Sequence, residues 1–212
     1  MIKKHHIFCI CDEIYSELTY GYPHTSIASF IPDQAIVFNG VSKTFAMTGY
    51  RIGLICGPAK VISKINGIHT IAVTTTTTCA QYAASEAFKN GYEDGPKMRK
   101  IYKQRRDILR DGLAKAGFTS PEPSGAFYIF AKIPSQFTQN SIKFATELAE
   151  KAHVGVVPGS AFGPGGEGHL RISYAVSTDN IKKAVQRIQK FEGDIKMPRK
   201  INNLDKNKAK AR

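Results

Sequence analysis

The apolar positions of this chain follow two periods in alternation. Short β-branched and apolar runs at 7–11, 35–38 and 51–56 predict three strands, and Gly57-Pro58 ends the third and opens a helix. Residues 63–90 read mostly as helix, broken at 74–78, where five β-branched side chains in a row lose rotamer freedom in a helix. The longest charged helix is predicted over 92–116, with Gly117 where a terminating glycine belongs. A strand composition follows at 126–133. Ser141 is the expected cap of a helix with Ala145, Leu148, Ala149 and Ala152 on one face. Residues 153–157 and 169–174 are strand candidates flanking the loop Gly163-Pro164-Gly165-Gly166. Thr178 is the expected cap of a last helix striped by Ile181, Val185, Ile188 and Phe191 and closed by Gly193.

Strands alternating with helices imply an α/β architecture. A break near Gly95-Pro96 divides it into an α/β part over 1–95 and a smaller α+β part over 96–193. After Gly193 the periodicity stops, and 194–212 is expected to be a disordered tail with seven basic and two acidic side chains.

Composition narrows the classes. The 212 residues are 42% hydrophobic and 22% charged, ordinary for a globular protein with a sizeable core. No apolar run approaches the roughly 18 residues of a membrane span, and the five-residue run after His5-His6 is too short for a secretory signal. Four cysteines without a paired framework suit a reducing cytoplasm. His5, His6, Cys9 and Cys11 do not read as a metal site: Cys-x-Cys on a strand aims both thiols at one face, as small apolar groups of a central strand. Tyr20 and Tyr22 read as packing residues. The net charge of +13 raises a nucleic-acid role. Against it, Arg99, Lys100, Arg105, Arg106 and Arg110 mix with Asp107 and Asp111 on one solvated helix.

The chemistry concentrates in three segments: Asp12-Glu13-Ile14-Tyr15 after the first strand, Ser42-Lys43-Thr44 through Arg51-Ile52-Gly53, and Leu170-Arg171-Ile172-Ser173. An amine that condenses with an aldehyde must first lose its proton. For a lysine of ordinary pKa, about 10.4, holding the neutral form near pH 7 costs on the order of 4–5 kcal/mol, so neighbouring groups must supply the shift. Asp12 falls at a strand's C-terminal end, where open α/β sheets place ligand groups. Taken singly, each residue is as readily a cap, a surface charge or, for Arg171, an edge-strand charge.

In this order the three segments resemble the class I/II aminotransferases, most closely those acting on aromatic amino acids, aspartate and related amino acids. The likeness runs from about Ile7 to Phe191. It implies the incomplete large domain of a fold-type I transferase plus a smaller C-terminal domain, pyridoxal 5′-phosphate as cofactor, and a homodimer. By the same resemblance Lys43 joins the cofactor and shuttles a proton, Asp12 faces the pyridine nitrogen, and Tyr15 bonds the ring oxygen. Ser42 and Arg51 take the phosphate, and Arg171 takes the substrate α-carboxylate. Residues 74–78 fall near a subunit boundary.

The implied function is transfer of an amino group from an L-amino acid, aromatic or acidic, to a 2-oxo acid. β-Elimination at a C–S bond, decarboxylation, or an inactive fragment are the alternatives. Two departures stand out. Gly40 replaces a serine that many relatives carry three residues before the lysine. Only eleven residues precede Asp12, where relatives have about as much sequence again, including the phosphate-holding helix and the ring stacked on the cofactor. The chain is therefore expected to be the C-terminal half of such an enzyme, weakly active or inactive alone.

Overall fold

The computed structural model describes residues 2–196, with side chains through 193. The elements are α1 (Ile2–His5), β1 (Cys9–Asp12), β2 (Ala35–Gly40), β3 (Gly53–Cys56), α2 (Ala59–Val73), α3 (Thr78–Asn90) and α4 (Asp94–Lys115). There follow β4 (Tyr128–Lys132), α5 (Ser141–Glu147), β5 (Val157–Pro158), β6 (His169–Ser173) and α6 (Thr178–Lys196). The chain forms two compact units, 1–104 with 123–127, and 105–122 with 128–212, so the border falls inside α4. The tail expected over 194–212 lies outside the described residues beyond Lys196, and α6 itself runs past Gly193.

In unit 1 the sheet order is β1-β2-β3. β1 pairs parallel with β2, Cys9 opposite Ala35 and Asp12 opposite Phe38, while β3 returns antiparallel with Gly53 opposite Gly40. Cys9, Ala35 and Val37 share one sheet face and pack with Ile31, Ile27 and Ala28. The Cys-x-Cys run was expected in a central strand, but β1 lies at an edge of this sheet, and Cys9 and Cys11 are half-buried. A second cluster joins Val41 and Ile52 to Ala80 and Ala84 of α3. The helix expected over 63–90 is two helices. Thr74 ends α2 with φ +67, and four threonines pass before α3 begins, so the β-branched run interrupts the helix as its rotamer cost predicts.

In unit 2 the sheet order is β4-β6-β5, all antiparallel. The alternation of Ile129 and Ala131 with Leu170 and Ile172 turns one face inward, where these four are buried with Phe144, Leu148 and Ile188. α6 packs on the C-terminal half of α4 closely enough that a Cβ at Gly112 would overlap Val185, and Gln189 Nε2 donates to the Gly112 carbonyl at 3.1 Å.

Several local readings change. The cap of α5 is Asn140, whose side chain accepts from the Lys143 amide. Ser141 is the buried first helical residue, and its hydroxyl bonds Ser160 Oγ at 2.9 Å. Ser177, one residue before Thr178, accepts from the Asn180 amide at 3.3 Å and so caps α6. Of the strand expected over 153–157 only Val157–Pro158 pairs, because His153 takes the left-handed conformation that ends the preceding helix. Arg106 is not a solvated charge: it is buried and ion-paired with Asp107 at 2.7 Å and Glu122 at 3.1 Å. Tyr20 is buried and donates its hydroxyl to the Ala126 carbonyl, but Tyr22, expected to pack, is 73% exposed.

Candidate active site

In unit 1 the candidate residues gather at one end of the parallel β1–β2 pair. Asp12 is the last residue of β1 and solvent-exposed, with Oδ1 accepting from the Ile14 amide at 3.1 Å. Parallel strands carry their loops at the carboxyl end, which is where this carboxylate stands. Tyr15 begins the short 3₁₀ turn Ser16–Leu18, and its ring meets Phe127 edge-on with centroids 5.5 Å apart. β2 ends at Gly40, buried Val41 anchors the turn, and Ser42 and Lys43 follow, both half-buried. Lys43 Nζ lies 5.9 Å from the Tyr15 ring centroid, within cation–π range.

Arg51 stands just before β3 in the left-handed region, φ +55, and its Nη1 donates to the Thr48 carbonyl at 2.7 Å. That bond folds the 3₁₀ turn Thr48–Tyr50 under the guanidinium, which is exposed on a cavity of about 750 Å³ shared with Tyr50, Thr75 and Thr76. The threonine run thus borders the same cavity as Arg51.

Arg171 belongs to unit 2. On β6 its guanidinium carbon lies 4.6 Å from the Tyr128 ring centroid and 4.5 Å from that of Phe162. Phe162 comes from the turn before the glycine-rich loop, and both rings lie within cation–π range of the guanidinium.

Gly40 has a steric explanation. A Cβ built there would meet the Ile52 carbonyl at 2.8 Å and the Gly53 Cα at 3.1 Å. β3 passes too close to leave room for a side chain at position 40.

Glu13 was quoted in the motif without a role, yet it is the buried carboxylate of this strand end. Its Oε1 accepts from Ser26 Oγ at 2.9 Å and the Ile27 amide at 3.1 Å, and Oε2 meets His24 Nε2 at 3.1 Å. Burial alone would raise its pKa, but the hydrogen bonds from His24, Ser26 and Ile27 outweigh it and hold the carboxyl below its ordinary value. Its amide donates to the Phe38 carbonyl at 2.8 Å. Glu13 thus ties the segment that follows the site to the strand that carries Asp12. A sequence signal existed: an acid directly after a strand, with His24 and Ser26 downstream.

The comparisons with known proteins fit this arrangement. The family model for aminotransferase class I and II matches residues 1–188. The chain belongs to that family. A probable N-acetyl-LL-diaminopimelate aminotransferase of Bacillus subtilis is 44% identical over 191 residues, 90% of this chain and 48% of its own length. A probable aspartate/prephenate aminotransferase of Thermus aquaticus is 39% identical over 88% of the chain and 49% of its own. The crystal structure of the aromatic aminotransferase of Pyrococcus horikoshii superposes with a TM-score of 0.85 at 37% identity, covering 92% of this chain and 53% of that one. The chain spans about half the length of the curated relatives it matches. Class I and II aminotransferases depend on pyridoxal phosphate. The donor set of unit 1 suits that group: an amine beside an aromatic ring, a strand-end carboxylate, and a hydroxyl and guanidinium for an anion.

Proposed function

We propose that this chain is the cofactor-holding half of an aminotransferase that moves an amino group from an L-amino acid, aromatic or acidic, to a 2-oxo acid. Residues 1–95 are read as part of the large domain and 96–193 as the small one. The observation that carries the reading is Lys43 Nζ at 5.9 Å from the Tyr15 ring, at the strand end that carries Asp12.

Bound there, pyridoxal 5′-phosphate supplies an electron sink for a carbanion at the substrate Cα. Lys43 would hold the cofactor through its Nζ and, as a free amine, would carry the proton of the substrate Cα. The Asp12 carboxylate, exposed at its strand end, would keep the ring nitrogen protonated, and the Tyr15 hydroxyl would serve the ring oxygen. Ser42 Oγ and the Arg51 guanidinium would hold the phosphate, the latter with the hydrogens left after its bond to Thr48. Arg171, beside the rings of Tyr128 and Phe162, would offer its two-pronged edge to the substrate α-carboxylate.

Four free cysteines and the absence, among the described residues, of a helix long and apolar enough to cross a membrane support a cytoplasmic enzyme. The assembled enzyme is read as a homodimer on the family resemblance. Because the matched relatives are about twice as long, the chain alone is expected to hold the cofactor weakly and turn over little. The test is borohydride reduction of the chain with pyridoxal phosphate, followed by peptide mass mapping. Labelling at Lys43, lost in Lys43→Ala, supports the assignment; equal labelling in that variant refutes it.

A further inference from the structure

The segments that carry Tyr15 and Lys43 are joined by a polar link that the proposed chemistry does not use. Asn39 is the last residue but one of β2, on the strand that runs into Lys43. Its Oδ1 accepts from the Gly40 amide at 2.7 Å, and its Nδ2 donates to Ser16 Oγ at 3.4 Å. The first of these bonds fixes which way the side chain faces. A backbone N–H can only donate, so the oxygen must meet Gly40, and the NH₂ group is left for Ser16. Asn39 and Ser16 are both half-buried.

Ser16 belongs to the turn that carries Tyr15. Its amide donates to the Glu13 carbonyl at 2.9 Å, and the Glu13 amide donates to the Phe38 carbonyl at 2.8 Å. The turn is therefore pinned to β2 at Phe38 by backbone and at the next residue by the Asn39 side chain. Ile14 Cδ1 lies 3.4 Å from where a Gly40 Cβ would stand, so the turn closes on the bare glycine. Beyond Gly40, buried Val41 accepts from the Met47 amide at 3.3 Å, and the Lys43 carbonyl accepts from the Ala46 amide at 3.4 Å. Asn39 thus bonds to the Tyr15 turn on one side and to the start of the Lys43 turn on the other. Between them stands the 5.9 Å separation of Lys43 Nζ and the Tyr15 ring.

We propose that Asn39, bonded to Ser16 and to the Gly40 amide, is a positioning residue that sets the separation of the Lys43 amine from the Tyr15 ring. A lysine side chain has many rotamers, and a reacting amine gains from having its backbone origin and its neighbour held in one register. Asn39 supplies that register from β2 without itself being a group that holds the cofactor. The inference rests on the aminotransferase reading above for what the amine and the phenol do, but the geometry it concerns is present in the chain alone. Losing one neutral hydrogen bond on either side corresponds to about a three- to tenfold effect.

The test uses the 212-residue chain with Asn39→Ala, Ser16→Ala and Asn39→Asp. At neutral pH the aspartate still accepts from the Gly40 amide and can take the Ser16 hydroxyl as a donor, so it is the conservative replacement. Urea unfolding followed by circular dichroism sets conditions of equal folded fraction. Without cofactor, a nuclear Overhauser contact from the Tyr15 ring to the Lys43 side chain is expected in the natural chain and in Asn39→Asp, and should fade in both alanine variants. With limiting pyridoxal phosphate and borohydride, label at Lys43 should fall about three- to tenfold in the alanine variants and stay within about twofold in Asn39→Asp, while label at other lysines is unchanged. Full contact and full label in both alanine variants, or an Asn39→Asp chain as impaired as Asn39→Ala, overturns the proposal. The expected pattern of contacts with no label at Lys43 in the natural chain defeats the cofactor assignment alone. Label at Lys43 with contacts unchanged across all variants defeats the positioning role alone.

Discussion

Removing the Glu13 carboxylate tests how the end of β1 is held. In Glu13→Ala, the Ser26 hydroxyl, the Ile27 amide and His24 all lose their acceptor at a position only 6% exposed. Hydrogen bonds to a charged acceptor contribute roughly 1.5–3 kcal/mol each, and half-buried donors recover part of that from water, so about 2–4 kcal/mol of stability should be lost. Glu13→Gln keeps the shape and one acceptor oxygen but turns an amide toward His24, and about 1–2 kcal/mol is expected. The pH dependence carries a definite sign. The folded-state pKa of Glu13 lies below its unfolded value, so its contribution is complete above the ordinary carboxylate pKa of about 4.3 and is lost as pH falls through the lower folded value. The gap between the natural chain and Glu13→Gln should therefore be constant from neutral pH to about pH 5 and shrink below pH 4. The sequence has no tryptophan, so urea unfolding is best followed by far-ultraviolet circular dichroism, with hydrogen exchange at the Ile27 amide as the local reporter. A Glu13→Ala loss under 0.5 kcal/mol, or a Gln gap that persists unchanged at pH 3, would refute the reasoning.

Other substitutions test other links. Gly40→Ser drives a Cβ to 2.8 Å from the Ile52 carbonyl; a loss of about 1–3 kcal/mol in urea melts is expected, and a stabilised variant would contradict the close approach of β3. Asn140→Ala removes the acceptor for the Lys143 amide and should cost about 1 kcal/mol, while Ser141→Ala should act through its bond to Ser160 rather than through helix capping. In an assembled, active enzyme, Arg171→Met should raise the KM for the amino acid roughly a hundredfold, near 3 kcal/mol, with cofactor labelling at Lys43 retained. Loss of labelling would place Arg171 in cofactor binding instead.

The order of strands and helices and the interruption at the threonines were legible in residue type and spacing, while the candidate set Asp12, Tyr15, Ser42, Lys43 and Arg51 came from the family resemblance. Those features are local: a β-branched run cannot sit comfortably in a helix, and strand-end residues lie where strands end. Caps were read one residue off at Ser141 and Thr178, since a hydroxyl and a neighbouring amide or hydroxyl look equally able to accept until backbone angles choose between them. Burial of Arg106 and exposure of Tyr22 escaped for a different reason. Each depends on whether a distant segment supplies Glu122 or leaves a ring uncovered.

Membership of the aminotransferase family was thus carried by linear order, because each candidate group sits within a few residues of a strand terminus and moves with it. Tertiary structure alone decided what surrounds those groups. It made Gly40 obligatory through the passage of β3, buried Glu13 among His24, Ser26 and the Ile27 amide, and set Arg171 beside two rings. Close approach and desolvation are relations between segments far apart in the chain, and they come into being only when those segments meet.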